Sequence, residues 1–297
     1  MIKSVLLLIT YLVITSTVAG QLPVTEVYAV TIQEDVKGWS IESIRLLSDF
    51  NPDGYNNQAR FFSEDQVYLS VQRPGEKTTD IVKLQLKSNE LSWVTKTREI
   101  SEFSPMPCPD GKHFATVRIE KDGKDQSLWQ YPSDRSGMGS RLFPKLNNIG
   151  YYAWINKDFA ALFLVGEPHR LVLGNVRNEK IVEIAQNPGR CLRYHENGNL
   201  YFVQKLENGK KWLQSYNIQD QAITSIVQMP GDNEDFEITN DGLIIVTDGP
   251  FIKTTKLSGK SEWQQIADLT SLNILQTQRP ALFGNQLLFV NNITVAK

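Results

Sequence analysis

A weak six-fold repeat of paired short strands constrains this chain more than any other feature. Aligning the strand–turn–strand units on Asp65, Gly111, Asp158, Gly198, Gly242 and Gln286 gives a period of 40 to 47 residues. A repeat of that length signals a stacked or circular array, in which each unit buries its apolar faces against its neighbours. Each unit opens with a short strand, turns, and enters a more apolar one. The pairs read as 59–62 with 67–71, 105–108 with 113–119, 152–155 with 159–165, 192–194 with 200–204, 236–239 with 243–247, and 280–283 with 287–290. Further strands at 81–87 and 91–97, 212–218 and 222–227, and 251–257 and 263–269 bring several units to four. Four antiparallel strands at this period predict the blades of a propeller. No stretch keeps helical periodicity long enough to read as a helix.

The ends of the chain fit together. The last unit stops after two strands, and two strands at 26–33 and 39–47 precede the first unit without one of their own. Pairing them in one blade closes the ring and removes exposed sheet edges. The expectation is an all-β, six-bladed β-propeller of four-stranded antiparallel blades over residues 21–297, its ring closed by N-terminal strands completing the last blade. Asp110-Gly111, Asn197-Gly198 and Asp241-Gly242 stand at matching hairpins, where residues tolerating positive φ are required. Asn51-Pro52-Asp53-Gly54 has the same chemistry but falls in a loop between blades.

Residues 1–20 read as a signal peptide. Lys3 is a minimal basic region, 5–13 are apolar, and Thr17-Val18-Ala19-Gly20 offers small residues for cleavage. The apolar run is shorter than the roughly 20 residues of a bilayer span. The reading is therefore an exported protein, periplasmic or extracellular, with no membrane span after processing. A net charge of −2 gives no electrostatic reason to expect nucleic acid. The two cysteines, Cys108 and Cys191, fall in repeats that are not neighbours and read as buried free thiols. Asn292-Ile293-Thr294 satisfies the glycosylation pattern, a short match that matters only in a eukaryotic secretory pathway.

Ser104-Pro105 followed by Pro109-Asp110-Gly111-Lys112-His113-Phe114-Ala115 resembles the PD40 (WD40-like) repeat of the TolB-like propeller family. Tyr55-Asn56-Asn57-Gln58, Gly150-Tyr151-Tyr152-Ala153-Trp154 and Gly166-Glu167-Pro168 are similar stretches. The resemblance implies a six-bladed propeller of the bacterial cell envelope that binds other proteins. The expectation departs from the TolB pattern in having no α/β domain ahead of the propeller; neither a peptidase nor a peptidoglycan-binding domain is expected after it.

Catalytic motifs are sparse. Ser136-Gly137-Met138-Gly139-Ser140 lacks the strand-to-helix context of a nucleophile elbow and reads as a connection. His113, His169 and His195 are not spaced as metal ligands. The tryptophans recur within strands and read as inter-blade packing, with Trp154, nearest the expected channel, as the exception.

The loops entering the first strands are expected to crowd around one end of the central channel. They supply Asn57, Gln58, Glu102, Ser104, Tyr151, Arg190, Glu234, Asp235 and Arg279 from successive repeats, and Trp154 joins them as a candidate. Mixed charges, amides and an aromatic suit a peptide or polar ligand, with Arg190 or Arg279 gripping a carboxylate. The plainer reading is that these groups cap strand ends and bond one another. The expectation is a monomeric, non-catalytic, cofactor-free module binding an envelope protein or peptide. The alternative is a calcium-dependent lactonase- or esterase-type hydrolase with Asn57, Glu102, Glu234 and Asp235 around the ion.

Overall fold

The second strand of each unit explains the architecture best. Phe159–Leu164, Asn199–Lys205, Leu243–Asp248 and Gln286–Asn292 are nearly continuous apolar runs, each with at least four consecutive buried residues. Such runs do not fit a sheet with one wet face; both faces must be covered by neighbours. A radial stack of blades provides that cover.

The computed structural model describes residues 22–35, 38–258 and 262–293. The leader reading of residues 1–20 lies outside them. Strands β1 (Thr25–Asp35) and β2 (Gly38–Leu46) come first. Blade I is β3 (Tyr55–Ser63), β4 (Gln66–Gln72), β5 (Asp80–Gln85) and β6 (Leu91–Trp93). Blade II is β7 (Ser101–Pro107), β8 (His113–Ile119), β9 (Gln126–Pro132) and β10 (Ser140–Leu142). Blade III is β11 (Ile149–Trp154), β12 (Phe159–Leu164), β13 (Arg170–Asn175) and β14 (Ile181–Gln186). Blade IV is β15 (Pro188–Tyr194), β16 (Asn199–Lys205), β17 (Lys211–Asn217) and β18 (Ile223–Gln228). Blade V is β19 (Phe236–Ile238), β20 (Leu243–Asp248), β21 (Phe251–Lys256) and β22 (Gln264–Asp268), and β23 (Thr277–Phe283) and β24 (Gln286–Asn292) end the series.

Every sheet is four-stranded and antiparallel, and the last has the order β2-β1-β24-β23. The N-terminal strands therefore complete blade VI. The closing ladder runs from Thr25 opposite Asn292 to Thr31 opposite Gln286.

Buried apolar clusters sit between blades. One joins Val27, Leu288 and Val290 of blade VI to Leu69 and Val82 of blade I; another joins Val117 and Leu128 of blade II to Leu162 and Val172 of blade III. Blades I and II meet through aromatic rings: Tyr68 lies 5.8 Å from Phe114, which stacks on Tyr131 at 5.4 Å. Cys108 and Cys191 are both buried and free.

The first strands begin earlier than the sequence pattern suggests. β3 starts at Tyr55 rather than 59, β7 at Ser101 rather than 105, β15 at Pro188 rather than 192, and β23 at Thr277 rather than 280. In each, the register slips just before the segment that the sequence reveals: between Asn57 and Arg60, Phe103 and Met106, Pro188 and Leu192, and Gln278 and Ala281. A β-bulge adds an unpaired residue and breaks the two-residue alternation, so only the stretch beyond it looks like a strand.

The Asn51–Gly54 loop is a clasp. Asn56 Nδ2 donates to Thr25 O at 2.8 Å and to Asn51 O at 2.9 Å, while Thr25 Oγ1 donates to Asn56 O at 2.7 Å. Asn51 Nδ2 donates to Gln72 O at 3.2 Å. The loop thereby ties the closing strand β1 to blade I.

Candidate functional site

The inner-strand bulges determine what faces the channel. Gln58, Ser104 and Arg279 hold φ of 54°, 54° and 55°, in the left-handed region that non-glycine residues seldom adopt. All three stand at the bulges of β3, β7 and β23, and all three line one cavity with Tyr151, Arg190 and Asp235. Each of the six blades thus gives at least one polar group to the channel mouth. Gln58, Ser104, Tyr151, Arg190 and Arg279 belong to the first strands themselves, not to the loops before them; Asp235 immediately precedes β19.

The cavity is narrow, about 50 Å³, because arginine side chains fill it. Arg190 grips Asp235 with both arms of its fork: Nε to Oδ1 at 3.1 Å and Nη2 to Oδ2 at 2.7 Å. Arg190 Nη2 also donates to Gln278 Oε1 at 2.9 Å. The Arg279 backbone N–H donates to Asp235 Oδ2 at 3.1 Å, and its Nη2 to the Tyr151 hydroxyl at 3.0 Å. The Arg279 guanidinium lies 5.3 Å from the centre of the Tyr151 ring. Burial pushes the Asp235 carboxyl up, but Arg190, aided by Arg279, outweighs it and holds the group down at about 2. On the opposite side, the Gln58 side-chain oxygen accepts from the Ser104 backbone N–H at 2.9 Å and from Ser70 Oγ at 3.1 Å.

Deeper in the channel lie Arg60, Arg193 and Glu237. Arg193 Nε donates to Glu237 Oε1 at 2.7 Å, and Arg60 Nη1 to Glu237 Oε2 at 3.1 Å. Sequence reading missed all three. They follow Gln58, Arg190 and Asp235 by two or three residues, so counting inward from each mouth residue and allowing for the bulge would have found them.

Four candidates stand elsewhere. Asn57 is 3% exposed and its Oδ1 accepts from the Gln58 backbone N–H at 2.8 Å, so it shapes the bulge rather than the cavity lining. Glu102 is fully buried against blade I, accepting from Thr97 Oγ1 at 2.9 Å. Glu234 turns outward to Lys211 Nζ at 3.0 Å. Trp154, at the end of β11, lines a separate cavity of about 290 Å³ with Phe61, Pro107, Tyr194, Leu282 and Phe283, near Arg60 and Glu237. A polar groove of about 450 Å³ and a more apolar one of about 490 Å³, walled by Tyr151, Phe163, Val165 and Val203, flank the mouth, and Arg190 and Glu234 line both.

The carboxylates do not gather. Glu102, Glu234 and Asp235 face a threonine pair, a lysine and an arginine respectively, and among the described residues no three of His, Cys, Asp and Glu cluster as a metal site. The hard-oxygen set that the hydrolase reading requires is not assembled. Among the described residues, no helix is long and apolar enough to cross a membrane.

The molecule is a closed six-bladed propeller with a polar, arginine-rich channel mouth. No protein-family model matches the sequence, and no curated protein matches it. Solved structures do. The putative TolB from Agrobacterium tumefaciens superposes with a TM-score of 0.65 at 11% identity, covering 92% of this chain and 100% of that one. TolB from Acinetobacter baumannii gives 0.63 at 10% identity over 86% of this chain and 66% of its own length. A chain of a nidogen/laminin complex gives 0.61 at 11% identity, covering 82% of this chain and 93% of that one. At these identities the likeness establishes the fold alone, a six-bladed propeller similar in shape to the TolB propellers.

Proposed function

We propose that this chain is an exported, non-catalytic propeller, of the PD40 type, that binds a protein or peptide partner in the bacterial cell envelope as a monomer. The observation that carries this reading is the convergence of Gln58, Ser104, Tyr151, Arg190, Asp235 and Arg279, one from each blade, on a single opening. Three of them occupy left-handed backbone, a cost that persists where the surrounding structure enforces it and that concentrates at binding sites. The grooves flanking Arg190 give an extended partner segment room to approach. The likeness to two bacterial TolB structures and the leader-like residues 1–20 support the envelope setting.

The test is capture from a native envelope extract with wild type, Arg190→Ala and Trp154→Ala, each shown folded by its thermal transition. A partner held by wild type and Trp154→Ala but lost by Arg190→Ala is the expected result. Loss in Trp154→Ala alone would move the site to the cavity that Trp154 lines. No partner recovered by any form would remove the binding-module reading.

A further inference from the structure

The channel carries unbalanced charge. Arg60, Arg190, Arg193 and Arg279 line it, against the carboxylates of Asp235 and Glu237. Asp235 is taken by Arg190, and Glu237 is shared by Arg60 and Arg193. The Arg279 side chain has no carboxylate partner among the described residues; its Nη2 spends itself on a neutral phenol, and its buried Nε has no hydrogen-bond partner. A buried donor of a charged group left unpaired is costly, and a guanidinium presents a fork matched to a planar two-oxygen anion.

We infer that Arg279 receives one carboxylate from the partner, carried at the tip of an extended chain that enters the mouth beside Tyr151. This rests on the binding reading above and adds the chemistry of the bound group. Size favours it: the opening between the arginines is narrow, about 50 Å³, and suits a small group at the end of a chain. Charge favours it as well. Asp235 is already balanced by Arg190, so one negative charge at Arg279 balances the mouth and a dianion would leave an excess. A planar monoanion matches the remaining donors of the Arg279 guanidinium without that excess. The carboxylate comes either from a chain terminus or from an Asp or Glu side chain, and both present the same two oxygens.

The test uses three capped tripeptides on the full-length processed protein, titrated calorimetrically to about 10 mM. These are acetyl-Ala-Ala-Ala with a free C-terminus, its C-terminal amide, and acetyl-Ala-Asp-Ala amide. At least one carboxylate-bearing peptide is expected to bind about tenfold or more tighter than the neutral amide, the usual gain of a hydrogen bond to a charged group. Which one does so identifies the source. In Arg279→Gln the preference should fall to within about twofold, and Arg279→Lys should keep part of it, having the charge without the fork. Equal binding of all three peptides by wild type, no binding by any, or a preference that survives Arg279→Gln would overturn the inference. The wild-type comparison stands even where a variant fails to fold. Should envelope capture remain Arg190-dependent while no carboxylate preference exists, the binding module survives and the carboxylate does not.

Discussion

Single residues decide which face of an inner strand meets the channel, and Glu102 shows how. It lies in the regular part of β7, opposite Arg118, while Ser104 two positions on is in the bulge. Glu102 therefore packs against blade I, where Thr97 Oγ1 at 2.9 Å and Thr95 Oγ1 at 3.4 Å reach its Oε2 and nothing reaches its buried Oε1. Burial, reinforced by the nearby Asp80 charge, pushes its carboxyl up to about 8, against the opposing pull of Thr97 and Arg118. A raised acid keeps its proton in the folded state after the unfolded chain has released it. Stability from this group is thus complete below its ordinary value of 4.5 and declines as pH rises toward 8. Asp235 has the opposite sign: its contribution is present above 3.8 and is lost as pH falls toward 2, outside that window. Urea unfolding of wild type should lose on the order of 3 kcal/mol between pH 5 and pH 8 through Glu102, a loss that Glu102→Gln should abolish. An unchanged pH dependence in the variant would show that the carboxyl is ionised throughout.

At the scale of strands and turns, much was legible before any coordinates. Apolar second strands and the turn glycines mark the blades, because those glycines do need positive φ: Gly111 at 67°, Gly198 at 85° and Gly242 at 84°. Of the candidate site, the mouth residues were found by their matched positions in the repeat. Trp154 lines a separate cavity and Glu234 the grooves beside the mouth, because alternation and strand length, not repeat position, decide where a side chain emerges. The bulges were hidden because Gln58, Ser104 and Arg279 supply the left-handed position without glycine. The Asn51–Gly54 turn reads from the sequence as a loop between blades, and its role as a clasp is hidden because its partners, Thr25 and Gln72, are remote in sequence. Its role predicts a cost. Asn56→Ala removes a fully buried amide bonded to Thr25, Asn51 and Gly54, and should destabilise the protein by about 3 kcal/mol in urea unfolding. Gly54→Ala should act in the same direction, because an added Cβ would meet Asn51 Nδ2 at 2.2 Å and dislodge it. Near-wild-type stability in both variants would mean that the clasp does not bear on folding.

The whole molecule is held by one non-local ladder. Blades I to V are each built from consecutive strands, whereas blade VI joins the two ends of the described chain through β1 and β24. That closure was readable from the mismatch between a two-strand last unit and two leading strands without a unit. Its energetic weight follows from burial. Val27 is fully buried on β1, opposite Val290 and packed with Leu69 and Val82 of blade I. An unpaired charge there must be desolvated or the strand must leave, and leaving exposes the edges of β24 and the flank of blade I together. Val27→Asp should therefore lower the thermal midpoint by about 10 °C or more, corresponding to several kcal/mol for a domain of this size. It should also replace one cooperative transition by separate steps, since an open array couples only neighbouring blades. Gln33→Asp, on the same strand but exposed, should stay within about 0.5 kcal/mol of wild type. Calorimetry of the two variants separates the cases: a single unshifted transition in Val27→Asp would show that the ring holds without its closing strand.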